Sequence, residues 1–91
     1  MNIQQFEALV IASHPEFIEF KFDDYYNQFV ATTELPATVL TYDREEGTYT
    51  VSFNGGQGTG ETVEEAKAAF EEDYDRIMRN YELSILNNRL S

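Results

Sequence analysis

The chain has 91 residues, 42% of them hydrophobic, with seven Phe and six Tyr, and a formal charge of −11 from seventeen acids and six bases. This is enough length for one domain, residues 1–91, and enough apolar content for a small packed core, which excludes a disordered chain. The acid excess repels phosphate backbones and anionic lipids, so neither direct nucleic-acid binding nor a membrane surface is expected.

There is no Cys, hence no disulfide framework and no thiolate metal site, which fits a reducing cytoplasm. No apolar run approaches the roughly 18 residues that span a bilayer. The first residues show no basic region followed by an apolar one, so no secretory signal is expected. The acids are spread along the chain: nine against two bases in residues 1–60, eight against four in residues 61–91. Such a charge reads either as a solvated surface or as attraction to a basic partner.

Asn2 can cap a short first helix, with Gln5 at its third position and Phe6, Leu9, Val10 and Ser13 along one face. His14-Pro15 ends it, because the residue before proline is pushed out of the α region. Phe17 to Phe22 alternates as a half-buried strand. Ile18, Phe20 and Phe22 point one way, Glu19 and Lys21 the other. Asp23-Asp24 breaks the strand. Tyr25 to Leu35 reads two ways. Asp23 can cap a short helix carrying Tyr26, Phe29, Val30 and Thr33, or Gln28 to Thr33 can form a second strand. Pro36 closes the segment in either case.

Thr38–Tyr42 and Thr48–Phe53 read as the arms of a hairpin, joined by Asp43-Arg44-Glu45-Glu46-Gly47, with Gly47 available for a left-handed position. Leu40 and Tyr42 can share a face with Tyr49, Val51 and Phe53. Residues 55–60 hold four glycines in six positions. Regular structure is costly for such a run, so Asn54 to Gly60 reads as a flexible link.

Thr62 to about Leu86 reads as one long amphipathic helix. Thr62-Val63-Glu64-Glu65 forms a capping box, in which the Glu65 side chain reaches back to the Thr62 backbone. Ala66, Phe70, Tyr74, Ile77, Tyr81 and Ile85 recur at steps of three and four. Glu64, Glu71, Asp75 and Glu82 lie opposite. The tail, Asn87 to Ser91, is expected to fray. The expected fold is α+β: a short N-terminal helix, a three- or four-stranded antiparallel sheet, and a long C-terminal helix packed on it as a two-layer sandwich.

One histidine and no cysteine leave no zinc site, no Cys–His pair and no Ser–His triad signature. His14 reads as a helix-capping or surface residue. The glycine run precedes a helix, where phosphate loops sit, but it lacks the Gly-Lys-Ser/Thr ending and leads into Glu61, Glu64 and Glu65. Glu71-Glu72-Asp73 and Asp75 splay around a helix and lack the spacing of a calcium loop. No catalytic residue, metal or cofactor is expected. Tyr25-Tyr26 beside Asp23-Asp24 suits a protein interface, because tyrosine anchors contacts and acids steer toward basic surfaces; the simpler reading is a turn with one exposed tyrosine.

Two resemblances appear at the hairpin and the long helix. Gly47-Thr48-Tyr49-Thr50-Val51-Ser52-Phe53 followed by Gly60-Glu61-Thr62-Val63-Glu64-Glu65-Ala66 resembles the strand-then-helix core of HicB-like antitoxins. Asn54 to Thr59 replaces the Pro-rich, Cys-containing stretch common in that family. Thr62 to Lys67, with Asp73-Tyr74 and Arg76-Ile77, is similar to the C-terminal helix of many small phage and prophage proteins. In type, a small acidic cysteine-free helix–sheet–helix chain also resembles anti-CRISPR and DNA-mimic anti-restriction proteins. That resemblance implies a phage-encoded inhibitor, acting in the cytoplasm of an infected bacterium, that occupies a basic surface of a host nuclease or CRISPR effector. Carboxylates there stand in for phosphates. The residues assigned to that contact are Asp23, Asp24, Tyr25 and Tyr26, the hairpin tip Asp43, Glu45 and Glu46, and the helix acids Glu64, Glu71, Glu72 and Asp75. The HicB-like resemblance implies instead an antitoxin that neutralises a small basic toxin. The long helix offers a further contact, with a second copy of the chain through Met78 and Leu83.

Overall fold

The structure, a computed structural model, describes residues 1–34 and 38–90, with side chains described through Leu86. The expected stop at Pro36 lies outside the described residues. Helix α1 (Ile3–Ser13) starts on a complete capping box: the Asn2 side chain accepts from the Gln5 N–H at 2.8 Å, and the Gln5 side chain accepts from the Asn2 N–H at 2.9 Å. It ends at His14, whose N–H donates to the Val10 carbonyl. Phe6 and Val10 are fully buried, while Leu9 stays exposed on the flank of the helix.

Five strands follow, β1 (Phe17–Asp23), β2 (Gln28–Thr33), β3 (Val39–Asp43), β4 (Thr48–Phe53) and β5 (Gly56–Gly60), then helix α2 (Val63–Leu90). The strands form one antiparallel sheet in sequence order. The fold is therefore α+β as expected, with five strands rather than three or four. Residues 28–33 take the strand alternative.

β1 departs from simple alternation. Phe17 pairs with Thr33 and Glu19 with Thr32, so Ile18 is an extra, bulged residue. A bulge shifts the pleat by one, which turns Phe17 onto the inner face with Phe20 and Phe22 and leaves Ile18 59% exposed. The inner face is aromatic and centred on Phe6 of α1. Its ring lies 5.6 Å from Phe29, 6.2 Å from Phe20 and 6.5 Å from both Tyr42 and Tyr49. α1 packs on β1 and β2, and α2 on β5 and β4 of the same face. The opposite face carries threonines, among them the Thr50–Thr59 hydroxyl pair at 3.0 Å.

The largest correction concerns Asn54 to Gly60. This stretch is not a flexible link. Asn54 and Gly55, at φ 50° and 87°, make a two-residue turn, and Phe53 pairs with Gly56 across it. Gly56, Gly58 and Gly60 then alternate toward α2. A Cβ at Gly58 would fall inside the helix backbone at Phe70 N and Ala66 O. One at Gly60 would sit 2.5 Å from the Glu65 Cβ. The glycines let the helix lie directly on the strand, and the ladder with β4 offsets their conformational cost.

Thr62 caps α2, its hydroxyl accepting from the Glu65 N–H at 3.1 Å. The Glu65 carboxylate accepts from Glu61 N–H, one residue earlier than expected. Val63 and Ala66 are buried, and Phe70 and Tyr74 stack on one another at 5.5 Å. The helix runs to Leu90, beyond the expected end near Leu86. Its 28 residues make it about 42 Å long, whereas a five-residue strand spans roughly 17 Å. The distal half therefore overhangs the sheet, and the molecule measures 54 × 26 × 25 Å. Tyr81 and Ile85, expected on the packed face, are 61% and 36% exposed.

Candidate acidic docking surface

Two turns converge at one end of the sheet. Asp23 pairs with Gln28, Gln28 with Asp43, and Asp43 with Thr48, so the β1–β2 and β3–β4 turns stand side by side. Arg44 N–H donates to the Asn27 carbonyl and ties them together. The turns are built alike. The Asp23 carboxylate accepts from the N–H groups of Tyr25 and Tyr26 at 3.0 and 3.2 Å. The Asp43 carboxylate accepts from those of Glu45 and Glu46 at 2.9 and 3.1 Å. Each turn closes on a left-handed residue, Asn27 at φ 53° and Gly47 at φ 67°.

This pattern divides the assigned residues by role. Asp23 and Asp43 shape the turns with one carboxylate oxygen each. Asp24, Glu45 and Glu46 are exposed and carry their charge outward. Tyr25 and Tyr26 are both exposed, at 86% and 64%, with their rings edge to face at 4.7 Å. Water thus surrounds two large aromatic side chains at an acidic tip, not the single one of the simpler turn reading. Arg44, the base between the tips, lies over the rings of Phe22 and Phe29 at 5.4 and 5.6 Å.

The helix acids do not join this group. Glu71 borders a groove with Glu16, Phe17, Lys67 and Phe70, on the side of α2 that faces α1. Glu72 lies on the other flank, beside Gln57 and Gly58 of β5. Asp75 is interleaved with Arg76 and Arg79. Glu64 lies at the joint of the two helices. There His14 is buried, its Nδ1 3.2 Å from Lys67 Nζ and its Nε2 3.9 Å from a Glu64 oxygen. His14 is thus the C-cap of α1, as expected, but an interior one. Its Nε2 has no hydrogen-bond partner.

Asp73, absent from the assigned residues, has a defined task. One carboxylate oxygen accepts from Gln57 N–H at 2.9 Å and the other pairs with Arg76. It covers an outward-facing donor on edge strand β5. Only the Asn54-Gly55 turn signal, which implies β5, could have pointed to it. A groove of about 440 Å³ runs beside it between β5 and α2. Burial, then Tyr42 and Glu64, push the Tyr49 hydroxyl above its ordinary pKa. Among the described residues, no group of three His, Cys, Asp or Glu side chains could hold a metal ion, and no helix is long and apolar enough to cross a membrane. No protein-family model, curated protein or solved structure matches the chain.

Proposed function

We propose that the protein is a non-enzymatic binding protein that docks the acidic end of its sheet on a basic protein surface of the kind that holds nucleic acid. The observation that carries the reading is the pairing of the two turns. It gathers Asp24, Glu45 and Glu46 around the exposed pair Tyr25-Tyr26, while Arg44 is drawn back over the core. Exposed carboxylates steer the approach to a Lys/Arg-lined surface, and the tyrosines supply the apolar anchor once there. The helix acids widen the negative field without forming part of the contact.

The partner class that fits is a nuclease complex of a bacterial defence system, blocked by a phage-encoded chain in the cytoplasm of the infected cell. The test is plating efficiency of a sensitive phage on cells carrying CRISPR or restriction activity. Expression of the wild-type chain should raise plating. A chain with Asp24→Lys, Glu45→Lys and Glu46→Lys, folded by circular dichroism, should not. Equal protection by both chains refutes the reading. Recovery of a small basic ribonuclease as the bound partner, with no effect on plating, moves the assignment to a HicB-like antitoxin.

A further inference from the structure

The apolar face of α2 continues where the sheet stops. Val63, Ala66, Phe70 and Tyr74 rest on β5 and β4. The same line of the helix runs on, at helical spacing, as Ile77, Met78, Tyr81 and Ile85. Met78 is 38% exposed, Tyr81 61% and Ile85 36%. Leu83 and Leu86 are exposed beside them. We propose that this overhang is the interface of a homodimer. Two copies pair their distal helices antiparallel about a two-fold axis at Tyr81.

Charge selects a second copy as the occupant. Residues 1–75 carry sixteen acids and three bases, whereas residues 76–91 carry one acid and three bases. Two bodies this acidic repel each other everywhere except along the overhang. Antiparallel pairing lays the basic distal helix of each copy beside the acidic turn, Glu71, Glu72 and Asp75, of the other.

Symmetry agrees. With Tyr81 on the axis, Ile77 of each copy meets Ile85 of the other, so every seam position faces another seam position. The area is modest. Five side chains of roughly 200 Å² each, about half exposed, offer on the order of 500 Å² per copy, against about 800 Å² per partner in a standard interface. The dimer therefore forms at concentrations on the order of micromolar. Leu83, picked from the sequence together with Met78, lies away from the seam.

The absence of cysteine makes the test direct. Mild oxidation should link Tyr81→Cys chains into covalent dimers. Ile77→Cys and Ile85→Cys chains should link when mixed, and neither should link alone. Light scattering should give twice the chain mass for the wild type. Tyr81→Asp with Ile85→Asp should weaken association at least about tenfold, with the sheet intact by near-ultraviolet circular dichroism. Three results overturn the proposal: chain mass up to about 500 μM, unchanged association in the double variant, or Ile77→Cys linking to itself, which marks a parallel pair.

Discussion

Replacing Gly58 by alanine adds one methyl group where the structure has no room for it. The added carbon would lie within the backbone of α2, at Phe70 N and Ala66 O, and neither can rotate away. The helix must retreat or the strand must bend. Retreat uncovers Val63 and Ala66, now 3% and 0% exposed, at a cost of about 2–3 kcal/mol. Overpacking a core that does relax costs about 1–3 kcal/mol. Both routes give about 3 kcal/mol, a large part of the roughly 5–14 kcal/mol that holds a domain of this size. The melting temperature should fall by roughly 12–24 °C.

The neighbouring glycines grade the effect. Gly60→Ala meets the Glu65 Cβ and the Ala66 amide at 2.5 and 2.8 Å and should cost nearly as much. Gly56→Ala meets only ring atoms of Phe70 and Tyr74 at 3.1 and 3.3 Å, which can give, and should cost about 1 kcal/mol. Thermal and urea melts of the three variants measure the order. In a flexible link, alanine would instead stabilise, by about 0.4–1 kcal/mol, through the unfolded chain. A neutral or stabilising Gly58→Ala refutes the packing of α2 on β5.

The two turn aspartates should separate from their neighbour by urea titration. Asp43→Ala removes the acceptor of two backbone N–H groups and should cost about 1 kcal/mol, whereas Asp24→Asn should stay within about 0.5 kcal/mol. Asp73→Ala should speed hydrogen exchange at the Gln57 amide and leave Gly58 slow, because only the Gln57 N–H leans on that carboxylate. Burial raises the Tyr49 hydroxyl above its ordinary value near 10. The unfolded chain then loses this proton first as pH rises. Its contribution to stability is complete below pH ~10 and is lost as pH climbs from there through the folded-state value. Tyr49→Phe should flatten that alkaline fall in urea midpoint; an unchanged fall assigns it elsewhere.

Most of the fold was legible because the apolar periods are clean. The Asn2 box, the alternation of β3 and β4, and the 3.6-residue stripe of α2 each stand in a local run of residues. The failures are places where a distant element decides. A run of glycine disfavours a strand when judged alone. It favours one here because a helix lies against it, although Asn54-Gly55 was a sufficient hairpin signal. The bulge at Ile18 comes from pairing with β2, so Phe17 and Ile18 exchange roles without any change in composition. The candidate site was half legible. Acids and tyrosines at each turn are plain in the sequence, but the convergence of the two turns needs the register across β2 and β3. That register also separates Asp23 and Asp43, whose carboxylates hold the turns, from Asp24, Glu45 and Glu46, which are exposed. The helix acids looked like one face in a period count, yet Glu71 and Glu72 fall on opposite flanks because the sheet runs beneath α2.

The most direct measurement is a paired capture. Wild-type chain and a variant with Asp24→Asn, Glu45→Gln and Glu46→Gln are immobilised side by side in bacterial lysate. Bound proteins are quantified as salt rises from about 50 to 500 mM, with and without competing duplex DNA. The account predicts a basic nucleic-acid-binding complex that the wild type holds at low salt. High salt and DNA both release it, and the variant does not retain it. Equal retention by the two chains, or retention indifferent to salt and to DNA, would contradict it.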